Sequence, residues 1–155
     1  MIPRIEILPE KKLIGQAIQM SVAENKTFEL FSTFMPRKKE ILNTVSNAVF
    51  DLRVFPENYY DNFNPQLVFT KWALAEVTNF ESIPDGMSPF TLKSGKYAVF
   101  THKGLSNNLP FEYIFREWLP KSNYILDHRP HFEILGDKYK PNDVNSEEEI
   151  WIPVQ

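Results

Sequence analysis

The chain reads as two copies of one pattern, and that constrains its fold more than any other feature. Leu13-Ile14 and Tyr97-Ala98 sit at like places in two extended stretches, 84 residues apart. Phe34-Met35-Pro36-Arg37 and Trp118-Leu119-Pro120-Lys121 recur at the same spacing of 84, each on an amphipathic helical stretch. Phe50-Asp51-Leu52 and Phe132-Glu133-Ile134 follow at 82, and Trp72 and Trp151 at 79. Loops of unequal length would shrink the spacing in this way. Four matches in one order, joining like elements, indicate an internal duplication. Each half reads strand, helix, strand, strand. The expected fold is α+β: a duplicated βαββ repeat forming one antiparallel sheet, two helices on one face, and a cleft at the pseudo-twofold axis.

Period and punctuation place the elements. Strands are expected over 4–8, 12–21, 49–55, 68–78, 96–102, 131–136 and 149–154, with Phe90-Thr91-Leu92 as a shorter extended piece. Thr27 is the expected N-cap of a helix carrying Phe28, Phe31, Phe34 and Met35. The apolar set Ile41, Val45, Ala48 and Val49 predicts that this helix resumes after a kink at Pro36. A second helix takes Pro110 in its first turn and presents Phe111, Ile114, Phe115, Trp118 and Leu119 before Pro120 disrupts it.

Length and composition bound the function. A chain of 155 residues supports a single domain, 1–155, with pseudo-repeats of approximately 1–80 and 81–155 and no room beside it for a DNA-binding domain. The formal charge of −3 argues against direct binding to nucleic acid or to an anionic membrane. Cysteine is absent, which removes disulfides, thiol catalysis and thiolate metal sites. The first residues, Met1-Ile2-Pro3-Arg4-Ile5-Glu6, carry both charge signs and lead into no long apolar run, so a leader peptide is not expected and a cytoplasmic location is. No stretch approaches the roughly 20 apolar residues of a membrane span. Aromatic residues reach 14% of the chain, enough to line a ligand cavity as well as fill a core.

Four segments carry a family resemblance. Gly95-Lys96-Tyr97-Ala98-Val99-Phe100-Thr101-His102-Lys103-Gly104 resembles the GxYAVFxHxG strand of GyrI-like small-molecule-binding domains, the effector-binding domains of AraC-type and MerR-type multidrug regulators such as Rob and BmrR. Glu117-Trp118-Leu119-Pro120-Lys121-Ser122-Asn123-Tyr124 resembles the family's WLPxSGY segment, with Asn123 where Gly is usual. Phe132-Glu133-Ile134-Leu135 resembles FExY, with Leu135 for Tyr. Glu149-Ile150-Trp151-Ile152-Pro153-Val154 resembles the closing EIYIPV, with Trp151 for Tyr. These segments cover the second half; the first half follows by repeat logic.

The resemblance implies an aromatic cleft between the halves around one buried acid, Glu133, that takes a cationic, lipophilic small molecule. The chain would then act as a stand-alone sensor or sequestering module, with a transcription regulator or gyrase as a partner in trans. Two alternatives stand beside it: a hydrolase of reactive cyclopropane-containing electrophiles, in which Glu133 activates water as the catalytic base, and a gyrase-protecting protein. Leu135 in place of Tyr weighs against the hydrolase. No cofactor is implied.

The candidate ligand-binding residues are Glu133, Trp151, Trp72, Tyr97, Trp118 and Tyr113. A carboxylate in an apolar strand either meets a ligand cation or faces solvent. The two Trp residues either offer cation–π faces or pack in the core, and Trp118 fits the core better. Asp51 is the repeat mate of Glu133. Arg53 stands two residues on, on the same strand face, so Asp51 is expected to be paired and Glu133 to be the free buried carboxylate. Asp127-His128-Arg129-Pro130-His131 is a poor metal motif because Pro130 breaks its spacing, and no metal is expected. Arg37-Lys38-Lys39 reads as a solvated helix face.

Overall fold

The computed structural model describes residues 1–155. Chain order is β1 (Arg4–Leu8), β2 (Lys11–Met20), α1 (Thr27–Arg37), β3 (Val49–Val54), β4 (Phe69–Val77), β5 (Ser88–Leu92), β6 (Gly95–Lys103), α2 (Leu109–Tyr113), α3 (Leu119–Lys121), β7 (His131–Leu135) and β8 (Glu147–Pro153). All eight strands join one sheet in the order β1-β6-β8-β7-β3-β4-β2-β5, and the paired strands are antiparallel. The fold is therefore α+β, as expected, with the two halves meeting at the β3–β7 pair.

The repeat is one strand longer than the sequence pattern suggests. Each half is ββαββ, and the leading strands are exchanged. β1 pairs with β6 of the second half, and β5 pairs with β2 of the first. Each exchanged strand thus covers an edge of the other half that would otherwise be an unpaired ladder.

The sheet curls around an apolar core on the face away from the helices. Leu8 and Leu92, from the two outermost strands, join Phe50, Leu52, Phe132, Tyr97 and Trp151 in one buried cluster. Outer and central strands share a cluster only if the sheet bends back on itself. The opposite face carries the helices. Leu30 and Phe34 of α1 pack on Ile14, Val49, Ala73 and Ala75. Ile114, Phe111, Phe115, Trp118 and Leu119 pack on Ala98, Phe100, Ile150 and Ile152. The apolar face expected for the second helix is the one that docks.

Two local expectations are corrected, and the effect of Pro120 takes a definite form. Thr27 is not the N-cap; it is the first residue of α1, and its backbone N–H donates to Asn25 Oδ1 at 3.0 Å. The first helix does not resume after Pro36. A single 3-10 turn, Lys38–Glu40, leads to Ile41 in extended backbone, because Pro36 removes an N–H from a helix already near its end. Pro120 has the milder effect of a π-helical turn over Ile114–Trp118, which shifts the hydrogen-bond register before α3.

Candidate ligand cleft

Alternation along β3 and β7 decides what floors the groove between the helices. Val49, Asp51 and Arg53 of β3 face the helices, with His131, Glu133 and Leu135 of β7. Phe50, Leu52 and Phe132 face the other way into the curled core. Asp51 and Glu133 are direct cross-strand partners, so the two repeat mates meet at the pseudo-twofold axis. β4 adds Lys71 and β8 adds Glu148. All of these charged groups except Arg53 are buried residues, and Arg53 is partly buried.

The ion pairing keeps one part of the sequence expectation and corrects the other: Asp51 is paired, but Glu133 is not free. Arg53 donates its one side-chain hydrogen bond to Glu133, in a short contact, and lies 3.9 Å from Asp51 Oδ1. Asp51 is paired more closely with Lys71, at 3.3 Å through Oδ2. Lys71 Nζ also donates to Thr27 Oγ1 at 2.8 Å, which ties β4 to the start of α1. Asp51 Oδ1 is buried and accepts no hydrogen bond. Both carboxylates are thus ion-paired, and Asp51 is the one that keeps a buried oxygen without a hydrogen bond. The reason is reach: a guanidinium on a long side chain meets its diagonal cross-strand neighbour more closely than the short carboxylate two residues back.

The protonation states follow from this arrangement. Burial works against the charge on Glu133, but Arg53, a hydrogen bond from Glu148 and Lys71 together hold its pKa below the ordinary range. Glu148 is pushed up to about 9, first by burial and then by its hydrogen bond to Glu133. At neutral pH Glu148 is the protonated member of this pair. Burial raises Asp51 more than Arg53 and Lys71 lower it. Burial likewise lowers Lys71, against the pull of Asp51. His131 falls to about 3, through burial and then the neighbouring charge of Arg53, and is a neutral imidazole at any physiological pH.

Linkage gives a measurable consequence. Glu148 holds a proton in the folded state over the interval in which the unfolded chain has lost it. Its contribution to stability is complete below pH 4.5, declines as pH rises, and is gone above about 9. Glu148→Gln is expected to flatten the alkaline decline in urea-unfolding free energy between those limits. An unchanged pH profile in that variant would show that Glu148 is not the buried acid. His131 acts with the opposite slope. Its folded pKa lies below the ordinary value, so its contribution is present above pH 6.5 and is lost as pH falls toward 3.

Two chambers flank the charge cluster. One, of about 1010 Å³, lies beneath α1 and is walled by Phe28, Phe31, Met35, Val49, Leu135 and Tyr139; Asp51 is its only charged lining residue. The other, of about 400 Å³, lies toward the loop after β3 and is walled mainly by aromatic rings; Arg53 and Lys71 are its only charged lining residues. Asn25 lines both.

The candidate residues from the sequence are not brought together. Glu133 is on the cleft floor. Tyr97, Trp72 and Trp151 are on the opposite face, because Trp151 is the partner of Phe132 while Glu133 is the partner of Ile150. Tyr97 is fully buried and its hydroxyl donates to the Pro130 carbonyl at 2.8 Å. Trp151 stacks on Phe132 at 5.3 Å, and Trp72 packs on Phe90 at 5.2 Å. The two Trp residues are not repeat mates either. Register matches Phe50 with Leu74 and Phe132 with Trp151, so the counterpart of Trp151 is Leu74. Trp118 packs edge-on against Phe100 at 5.1 Å, in the core as the better reading had it. The Tyr113 hydroxyl donates to the Met1 carbonyl at 3.0 Å, outside both chambers.

Several cleft residues went unread in the sequence. Lys71 had a signal: it shares the alternating apolar face of Phe69, Ala73 and Ala75, where a lysine must find a buried partner. Glu148 had one too, since the middle of three consecutive acids in a strand points inward when its neighbours point out. His131 had been weighed only as a metal ligand. The loop aromatics Tyr59, Tyr60 and Phe63 carried no periodic signal.

Known proteins share this architecture. A family model described as "Cass2: Integron-associated effector binding protein" matches residues 4–154. The transcriptional regulator BrlR of Pseudomonas aeruginosa is 28% identical over 156 residues, covering 97% of this chain and 54% of BrlR, so the chain spans about half the length of that relative. Among solved structures, SAV2435 bound to tetraphenylphosphonium aligns over 100% of this chain and 94% of its own, with a TM-score of 0.71 at 16% identity. An integron cassette protein from Vibrio cholerae aligns over 100% of this chain and 97% of its own, with a TM-score of 0.61 at 15% identity. At such identities the structural matches establish the fold. No helix is long and apolar enough to cross a membrane.

Proposed function

The chain belongs to the integron-associated effector-binding protein family of GyrI-like domains, and from that premise we propose that it captures a lipophilic small-molecule cation in the chamber beneath α1, with Asp51 as the counter-charge. One observation carries the reading. In a chamber of about 1010 Å³ with largely apolar and aromatic walls, the single charged lining residue is a buried carboxylate, and its Oδ1 accepts no hydrogen bond. A desolvated cation there gains an ionic partner, and Phe28 and Phe31 add aromatic rings to the lining. Glu133 is assigned an indirect part: by holding Arg53 it keeps the guanidinium 3.9 Å from Asp51 Oδ1, outside hydrogen-bond range, and leaves that oxygen to the ligand. A role for Glu133 as a hydrolytic base gains no support, because Arg53 lowers its affinity for a proton.

The fold-related SAV2435 was captured with tetraphenylphosphonium, which makes that cation the natural probe. Calorimetric titration is expected to show it binding at least about tenfold more tightly than triphenylphosphine oxide, a neutral compound that keeps three of its four phenyl rings. Equal affinities would remove any role for charge. The regulatory step in trans, or simple sequestration of the compound, would follow from this binding.

A further inference from the structure

The smaller chamber differs from the first in charge sign as well as in shape. We propose that it is a second ligand site, specific for a flat aromatic carboxylate, in which the anion meets Arg53 and Lys71 and its ring stacks among Tyr60, Phe115 and His131. The chamber measures about 400 Å³, and no Asp or Glu lines it. Arg53 gives a single hydrogen bond to protein, from Nη2 to Glu133. Its other N–H groups have no protein acceptor, and the fork they form suits a carboxylate. The guanidinium carbon sits 5.1 Å from the Phe111 ring centre, which orients the fork within the chamber. Lys71 uses two of its three donors, on Asp51 and Thr27.

The walls select for flatness. Tyr60 lies nearly parallel to Phe115 and to His131, with centroid separations of 5.5 and 5.8 Å. Phe55 closes the set edge-on to His131 at 4.9 Å. Such near-parallel rings accept another ring in offset stacking. His131 is neutral, so it contributes a stacking ring and no charge of its own. Tyr60 is 41% exposed, on the loop between β3 and β4, where it can move to admit a ligand.

This site does not depend on the cation chamber, and the experiment keeps the two apart. The probe is 2-naphthoate, titrated calorimetrically beside neutral 2-naphthamide and against tetraphenylphosphonium. The expected result is 2-naphthoate binding at least about tenfold more tightly than the amide. Tyr60→Ala and Phe63→Ala, both at exposed loop positions, are each expected to weaken 2-naphthoate about fivefold. Both are expected to leave tetraphenylphosphonium affinity unchanged, with native folding checked by circular dichroism. Phe28→Ala, at the rim of the other chamber, should leave 2-naphthoate unaffected. Absence of 2-naphthoate binding at millimolar concentration, equal binding of acid and amide, or full affinity in both folded loop variants would overturn the proposal. Loss of tetraphenylphosphonium binding alone would count against the cation chamber and not against this one.

Discussion

Arg53→Met is expected to lower folding stability by about 3–5 kcal/mol in urea unfolding at neutral pH. Arg53 holds the counter-charge of Glu133, a residue only 7% exposed, and it also faces Asp51. Methionine leaves both carboxylates in the floor with Lys71 as their one remaining cation. The uncompensated charge then costs its desolvation, or Glu133 takes up a proton at a cost that grows with pH. Two further results follow. The deficit of Arg53→Met should shrink as pH falls, because acid neutralises Glu133. Arg53→Met combined with Glu133→Gln should recover most of the loss, since the pair is removed together. A single-variant cost below about 1 kcal/mol would show that the pair is solvated.

Asp51→Asn is expected to weaken tetraphenylphosphonium binding by about 30-fold or more, corresponding to about 2–5 kcal/mol. The amide keeps the shape of the side chain and removes the one charge lining the chamber beneath α1. Lys71 loses an ion partner in the same substitution but keeps its hydrogen bond to Thr27 at 2.8 Å, so the protein should still fold. Glu133→Gln should weaken the same ligand several-fold less. Its effect is indirect: Arg53, released from Glu133, can turn the 3.9 Å toward Asp51 and compete with the ligand. Equal losses in the two variants, or a larger loss in Glu133→Gln, would return the counter-charge to Glu133.

The family assignment itself was within reach of the sequence. Segments such as Gly95 to Gly104 and Glu149 to Val154 are strand motifs, and their resemblance does not depend on what lies across the sheet. The site required more. Tyr97 and Trp151 belong to those recognisable motifs yet face the curled core, while Lys71 and Glu148, in no motif, and His131, read only as part of a poor metal motif, floor the cleft. A motif gives a residue's place along a strand. Which sheet face becomes a cleft depends on where the helices dock and how the strands curl.

The duplication, the approximate strand positions and the matching of Asp51 with Glu133 as repeat mates were determined by the sequence alone, because periodicity and spacing are linear properties of a chain. The tertiary structure decided three things: the exchange of β1 and β5 between halves, the separation of the cleft into chambers of opposite charge, and the choice of Glu133 over Asp51 as the partner of Arg53. Each depends on distances across strands that are remote in sequence. Arg53 is 80 residues from Glu133 and two from Asp51, yet it bonds the distant carboxylate. The longer Glu133 side chain brings its carboxylate to the guanidinium across the ladder, whereas Asp51 Oδ1 stops 3.9 Å short of it.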